Sequence, residues 1–273
     1  MSLVSTKWLE KNITYTRIID CSWHMPNTNR NGEKEYLKSH IPNTVFFDID
    51  KNSDKSTDLP HMLPSSNEWK EIISNFGISN NDRVVIYDNS DVLSSCRCWY
   101  MFLYFGHDPK LVHVLDGGYE KWIKENRIEN NNIIKKKKSN YFVSENYNLV
   151  KNLSEVNKNL KSNKFRIIDG RTKERFEGTV IEPRKGLRSG SIPKSYCLPF
   201  RKVLNSNKTF KSINDLKNIY YKILGSNIDD NIVFSCGSGI TACVLALAYS
   251  LINNNYKPVI YDGSWAEYGM IKK

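Results

Sequence analysis

The sequence predicts an α/β fold made of two related domains, each with a mainly parallel sheet flanked by helices. The first observation is a weak internal repeat, in which blocks of the first half return in the same order in the second. Three of the residue pairs are Asp20 with Asp169, Asp88 with Cys236, and Asp116 with Asp262, and their members are 149, 148 and 146 residues apart. The second observation is that short apolar runs alternate with helical stretches, which is typical of sheets covered on both faces.

The predicted elements follow one another in the same order in both halves. The first half has strand-like RIID, VVIYD and HVLD, with the helical stretch SNEWKEIISNFG ahead of the second run. The second half has RIID, NIVFSC and VIYD, interleaved with the helical stretches SINDLKNIYYKILG and TACVLALAYSLINN. A polar, lysine-rich stretch separates the halves. We therefore predict domains at 1–130 and 150–273, joined by a linker at 131–149.

The net charge of +11 permits nucleic acid as a partner, but the lysines are spread along the whole chain, which favours a solvated surface instead. The arginines are distributed differently, because six of the eleven lie in residues 166–201. Forked guanidinium groups bind small anions such as carboxylates. This stretch is therefore a candidate anion-binding segment.

No apolar run reaches the length of a membrane span, since glycines and polar residues interrupt the longest one. The start of the chain lacks the apolar core of a signal peptide. We expect a soluble cytoplasmic protein that does not bind membranes, with a mitochondrial location as the alternative.

The six cysteines are scattered and do not form a disulfide framework. Cys96 and Cys98 could ligate a metal, but no second pair of ligands stands at a suitable spacing, so packing is the favoured interpretation. Cys243 lies in an apolar helical stretch and is expected in the core, with a regulatory disulfide to Cys236 as the alternative. We predict no metal and no cofactor.

The segment CGSGITAC, residues 236–243, carries the strongest chemical signal. Cys236 follows a strand-like run, and ligands of parallel sheets bind at the carboxyl ends of strands. Gly237 and Gly239 leave backbone N–H groups uncovered, and a helix beginning near Ala242 adds unpaired N–H groups at its positive end. Such a loop can hold an anion, so Cys236 is expected to carry a thiolate. A buried structural cysteine beside a glycine-containing turn is the alternative.

Cysteine-dependent phosphatases share this arrangement, but they need an arginine six residues after the cysteine to bind phosphoryl oxygens. Position 242 is alanine, which argues against phosphate chemistry. The equivalent segment of the first half, DNSDVLSSC, has neither the glycines nor a nucleophile at its start. The second half is therefore the candidate catalytic half.

In this loop and in several other stretches, the chain resembles a known family, the tandem rhodanese-domain sulfurtransferases, and specifically the 3-mercaptopyruvate sulfurtransferases. The loop CGSGITA is similar to CGSGVTA of that family, whereas relatives that prefer thiosulfate have charged residues after the cysteine. Further matching stretches are HIPNTVFFDID, LPHMLP, RFEGTVIEPR, RSGSIP and YDGSWAEYG. The resemblance implies two rhodanese-like domains, of which only the second is catalytic.

The resemblance also implies residue roles. Cys236 would take sulfur from a small-molecule donor, 3-mercaptopyruvate, as a persulfide, and pass it to thioredoxin, another thiol acceptor or cyanide. Arg175 and Arg184 would bind the substrate. Ser238 would act with His61 and Asp50 as a proton relay.

The loop residues expected to bind substrate are Gly237, Gly239, Ile240 and Thr241. Arg171 and Arg188 are expected to be structural. The chain departs from the family at Ser191 and Lys194, where histidine and glycine are common, and we expect this to alter a turn and not the chemistry.

Three alternatives remain open. Thiosulfate could be the preferred donor. The protein could be a sulfur carrier for tRNA thiolation, which its basic charge permits although the chain shows no nucleic-acid-binding motif. It could also be an inert rhodanese-like binding module, against which the intact Cys236 loop argues.

Overall fold

The computed structural model describes residues 2–225 and 231–271. The chain divides into two compact units, each of which includes one short segment from the other half of the sequence. Unit 1 contains Met1–Asp54, Leu63–Asn146 and Ser206–Thr209, and unit 2 contains Lys55–Met62, Tyr147–Asn205 and Phe210–Lys273. His61 therefore belongs to unit 2, although its sequence position lies in the first half.

Unit 1 contains a five-stranded sheet in the order β1-β5-β4-β2-β3, with parallel pairing throughout. Its strands are β1 Leu3–Val4, β2 Arg17–Asp20, β3 Thr44–Phe46, β4 Val84–Tyr87 and β5 Val112–Leu115. Its helices are α1 Thr6–Asn12, α2 Gly32–Lys38, α3 Ser66–Asn75, α4 Ser95–Tyr104 and α5 Gly118–Lys124. Ser65 is the N-cap of α3, and it forms a capping box with Glu68 that fixes where the helix begins.

Unit 2 repeats this topology in the order β6-β10-β9-β7-β8, again with parallel pairing. Its strands are β6 Val150–Lys151, β7 Arg166–Asp169, β8 Tyr196–Cys197, β9 Ile232–Ser235 and β10 Val259–Tyr261. Its helices are α6 Leu153–Ser162, α7 Lys173–Glu177, α8 Ile213–Leu224, α9 Ile240–Ser250 and α10 Ser264–Tyr268. Short 3₁₀ turns lie at Pro26–Thr28 in unit 1 and at Tyr147–Leu149 and Phe200–Val203 in unit 2. The predicted duplication and the predicted α/β class are confirmed.

The middle strand of each sheet is followed directly by one member of the residue pair Asp88 and Cys236. Asp88 follows β4 and Cys236 follows β9, and both strands are buried along their whole length. Helix α9 is apolar all round and almost wholly buried, which is typical of a helix enclosed by its domain. It begins at Ile240, slightly before the predicted Ala242, because Gly239 already ends the loop in a left-handed conformation with φ of 79°.

The predicted linker has no helix or strand in residues 131–146, as its composition suggested, but it is not simply solvated. Tyr141 is fully buried, and its ring stacks on His107. The Ser139 N–H donates to the carbonyl oxygen of Ser74. Much of this segment therefore packs as part of unit 1.

The departure at Lys194 lies in a turn, as expected. The Ser195 N–H donates to the Ile192 carbonyl, and Lys194 has φ of 63°, a value that favours glycine. The Lys194 ammonium bonds to the Leu160 carbonyl and to Asn163 near the end of α6.

Within the described residues, no helix is long and apolar enough to cross a membrane.

Candidate active site

Cys236 lies at the carboxyl end of β9 and is 2% exposed. Its backbone N–H donates to Ser264 Oγ at 3.2 Å, and its carbonyl accepts the Trp265 N–H at 2.9 Å. The Gly237 carbonyl accepts the Ala266 N–H at 2.9 Å. The start of α10 therefore fixes the backbone on which the cysteine sits.

The loop after Cys236 leads directly into the N-terminus of α9. Gly239, the N-cap residue, has no side chain that could bond to the first N–H groups of the helix. Those N–H groups have no partner within the helix and stand at the positive end of its dipole. Gly239, Ile240 and Thr241 thus lie where the sequence predicted an anion-binding backbone.

The equivalent loop of unit 1 shows what this architecture can bind. The Asp88 carboxylate accepts N–H bonds from Ser90 at 2.9 Å and from Ser95 at 2.8 Å. The Asp88 carbonyl accepts the N–H of Tyr119, as the Cys236 carbonyl accepts that of Trp265. In unit 1 the chain's own carboxylate therefore occupies the loop, and in unit 2 a sulfur stands at the equivalent position.

Two arginine side chains approach the Cys236 loop from the arginine-rich stretch. A methyl group placed on Gly237 would lie 3.4 Å from Arg175 Nη2 and 3.7 Å from Arg184 Nη1. Gly237, with no side chain of its own, thus lies beside two guanidinium groups, next to the candidate nucleophile. Guanidinium groups in such a pair can bind a small carboxylate.

Ser238 links Arg184 to His61. Arg184 Nη2 donates to Ser238 Oγ at 3.2 Å, and His61 Nδ1 lies 2.9 Å from the same oxygen. Because the guanidinium can only donate, the Ser238 hydroxyl proton remains available for His61 Nδ1. His61 is buried and has φ of 62°, so the backbone of its segment is held in an unfavoured conformation.

Asp50, the third predicted member of the relay, is described in unit 1. It is exposed, and its Oδ2 accepts the indole N–H of Trp23 at 2.8 Å. Its participation with His61 stays a prediction.

Glu182 is a further residue of the site that the sequence did not predict. Its buried carboxylate accepts bonds from Arg175 Nε at 3.1 Å and Nη2 at 2.6 Å, and from Arg171 Nη1 at 2.9 Å. The signal available in the sequence was an acidic residue two positions before Arg184 in a stretch otherwise rich in arginine.

Arg171 and Arg188 have structural surroundings, as expected. Arg171 is buried, pairs with Asp169 at 2.7 Å and lies over the Trp265 ring at 4.3 Å. Burial raises the pKa of Asp169, and the neighbouring Arg171 charge opposes this shift. The Arg188 guanidinium also lies over the Trp265 ring, at 4.6 Å, and over the Tyr268 ring, at 5.3 Å.

Three further cysteines, Cys96, Cys98 and Cys243, are packed in the core. Cys243 is fully buried, and its thiol bonds to the Gly239 carbonyl one turn earlier. Cys96 and Cys98 are fully buried in α4.

Comparison with known proteins identifies the family. The family model described as a rhodanese-like domain matches residues 5–125 and 152–270. This chain belongs to the rhodanese-like family. Its two rhodanese-like domains are the two halves of the duplication.

Among its relatives, the chain is 38% identical to thiosulfate/3-mercaptopyruvate sulfurtransferase 1, mitochondrial, of Arabidopsis thaliana, over 97% of this chain and 75% of that protein. It is 33% identical to 3-mercaptopyruvate sulfurtransferase of Homo sapiens, over 98% and 92% of the two chains. Among solved structures, the 3-mercaptopyruvate sulfurtransferase SseA of Escherichia coli superposes with a TM-score of 0.85 at 30% identity, covering 98% of this chain and all of that one.

Proposed function

We propose that this protein is a sulfurtransferase that moves sulfur from 3-mercaptopyruvate, through a persulfide on Cys236, to a thiol acceptor or cyanide. The observation that carries the proposal is the geometry of Cys236. It stands at the head of an N–H-lined loop, beside the guanidinium groups of Arg175 and Arg184. The names of the relatives support the same donor.

In the first half-reaction, the Cys236 thiolate attacks the donor sulfur and forms an S–S bond. The carbon–sulfur bond breaks, and its electron pair moves into the enolate of pyruvate, which then takes a proton. The donor carboxylate and keto oxygen face Arg175 and Arg184. Negative charge that develops on the keto oxygen is stabilised by a guanidinium group already in place.

The Ser238 hydroxyl, between Arg184 and His61, is the proposed path for the proton. Asp50 is proposed to orient His61 in this relay. We expect His61→Asn to lower kcat by about 10²-fold or more, as loss of a general acid–base does. A kcat within about threefold of the wild type would remove His61 from the mechanism.

In the second half-reaction, the acceptor thiolate attacks the outer sulfur of the persulfide and restores the Cys236 thiolate. In unit 1, backbone N–H groups of the loop bind the Asp88 carboxylate. The N–H groups of the corresponding Cys236 loop are proposed to stabilise the persulfide anion. Thioredoxin is the proposed protein acceptor.

Intact mass spectrometry tests the proposal directly. Wild-type protein mixed with 3-mercaptopyruvate alone should gain one sulfur atom and release an equivalent of pyruvate. Cys236→Ser should do neither, whereas Cys197→Ser, which changes a cysteine elsewhere in unit 2, should behave as the wild type. A wild-type protein that gains no sulfur on Cys236 would refute the function.

Thiosulfate is the second candidate donor, because relatives named for both donors match the chain. The residues after Cys236, Gly237 and Ser238, are uncharged, whereas relatives that prefer thiosulfate have charged residues there, and this difference favours 3-mercaptopyruvate. The ratio of kcat/KM for the two donors decides between them, and we expect it to favour 3-mercaptopyruvate.

We further propose a cytoplasmic location. The mitochondrial name of the Arabidopsis relative supports the alternative, and cell fractionation distinguishes the two.

A further inference from the structure

Residues 178–190 form a closed loop on unit 2 that carries Arg184. Its ends meet at Gly178 and Gly190, with φ of 75° and 109°. A methyl group on Gly178 would lie 3.0 Å from the Gly190 nitrogen, so the two ends are in direct contact. The Ser189 hydroxyl also donates to the Val180 carbonyl at 2.9 Å. The contact between Gly178 and Gly190 therefore closes the loop, and these two residues are called its neck below.

Two neighbouring residues of this loop point in opposite directions. Ile181 is 91% exposed, whereas Glu182 is 5% exposed. Burying a carboxylate is costly unless it is paired and hydrogen-bonded. Glu182 meets that condition through Arg171 and Arg175, and these bonds attach the loop to the body of the unit.

The bonds to Glu182 also determine how Arg175 is presented. Nε and Nη2 bind the two carboxylate oxygens, which holds the plane of the guanidinium group. Nη2 at the same time lies beside Gly237, where the donor is proposed to bind. A guanidinium that is held in this way does not have to be ordered when the donor arrives.

Arg184 depends on the same anchor. It lies two residues after Glu182 on the loop and reaches Ser238 Oγ. Arg171 closes the arrangement, because its Nη1 binds Glu182 and its Nη2 binds the Gly190 carbonyl at the neck. The buried Glu182 carboxylate therefore bonds directly to Arg175 and holds on unit 2 the loop that carries Arg184.

We propose that Glu182 is the positioning residue that sets the donor-binding geometry of Arg175 and Arg184, an inference that rests on the proposed function. Glu182 acts through the arginines and not on the donor itself. Its removal is therefore expected to weaken donor binding while the Cys236 loop and the second half-reaction are retained.

The variant Glu182→Gln tests this role. A glutamine amide offers one oxygen, while its NH₂ group opposes the N–H donors of Arg175. In steady-state assays with 3-mercaptopyruvate and cyanide, we expect the donor KM to rise by about tenfold or more, with the cyanide KM and kcat within about threefold. Loss of folded protein alone would lower kcat and leave both KM values unchanged.

Glu177→Gln is the matched control, because Glu177 is an exposed glutamate of the neighbouring helix α7 that pairs with the exposed Lys173. It should keep the wild-type donor KM. If Glu182→Gln does not fold, Glu182→Asp retains the charge but shortens the side chain, and its donor KM should also rise by about tenfold. A folded variant with the wild-type donor KM would overturn the inference, whereas a wild-type protein that forms no persulfide would overturn the proposed function instead.

Discussion

Gly237→Ala offers a sharp test of where the donor binds. The φ of Gly237 lies outside the left-handed region, and an added methyl would meet its nearest neighbours at 3.4, 3.7 and 3.9 Å. These are ordinary van der Waals contacts, all of them with arginine side chains. We therefore expect the variant to fold with a free energy of unfolding within about 1 kcal/mol of the wild type.

The effect on the donor should be much larger than the effect on folding. The methyl occupies the space in which a donor carboxylate would approach Arg175 and Arg184. Loss of one hydrogen bond to a charged group costs about 1.5–3 kcal/mol. At about 1.4 kcal/mol per factor of ten, this corresponds to a rise of about 10- to 150-fold in the donor KM.

Pyruvate release, measured while 3-mercaptopyruvate and cyanide are varied in turn, separates the two half-reactions. The cyanide KM serves as the internal control, because cyanide attacks the persulfide and does not need the carboxylate site. A urea unfolding curve checks that the variant is folded. A folded Gly237→Ala protein with the wild-type donor KM would refute the placement of the donor beside Gly237.

Two further predictions concern stability. Ser264→Ala removes the acceptor of the buried Cys236 N–H and should lower the free energy of unfolding by about 1–3 kcal/mol, measured by urea unfolding. Ser264→Gly should lower it by less, because glycine also relieves the strain of a φ of 49° at this position. Equal losses in the two variants would contradict this explanation. Burial raises the pKa of Asp20 from 3.8 to about 7, so the folded state retains a proton that the unfolded chain has released. The free energy of unfolding should therefore fall as pH rises from about 4 to 7, by about 2 kcal/mol between pH 5 and 7. Asp20→Asn should remove this slope, and an unchanged slope in the variant would assign it to other groups.

Local patterns in the sequence were sufficient to predict the fold class and the duplication, and to place the candidate nucleophile at the end of a strand. Strand and helix periodicity is a property of short segments, and the repeat at near-constant offset required the same topology twice. Cys236 could be placed at a strand end because an apolar run stops there and glycines follow. The clustered arginines likewise marked residues 166–201 as a candidate anion-binding segment, which stays a prediction.

The partners of these residues were decided only by the tertiary structure. His61 and Ser238 are 177 residues apart and meet because the segment 55–62 packs in unit 2. Glu182 looks like an ordinary surface acid in the sequence, yet it is buried between two arginines. The Asp88 carboxylate of unit 1 accepts two N–H bonds from its own loop, a pairing that the sequence did not reveal. Such roles arise from contacts between distant segments, and side-chain pairing of this kind leaves no periodic trace in the chain.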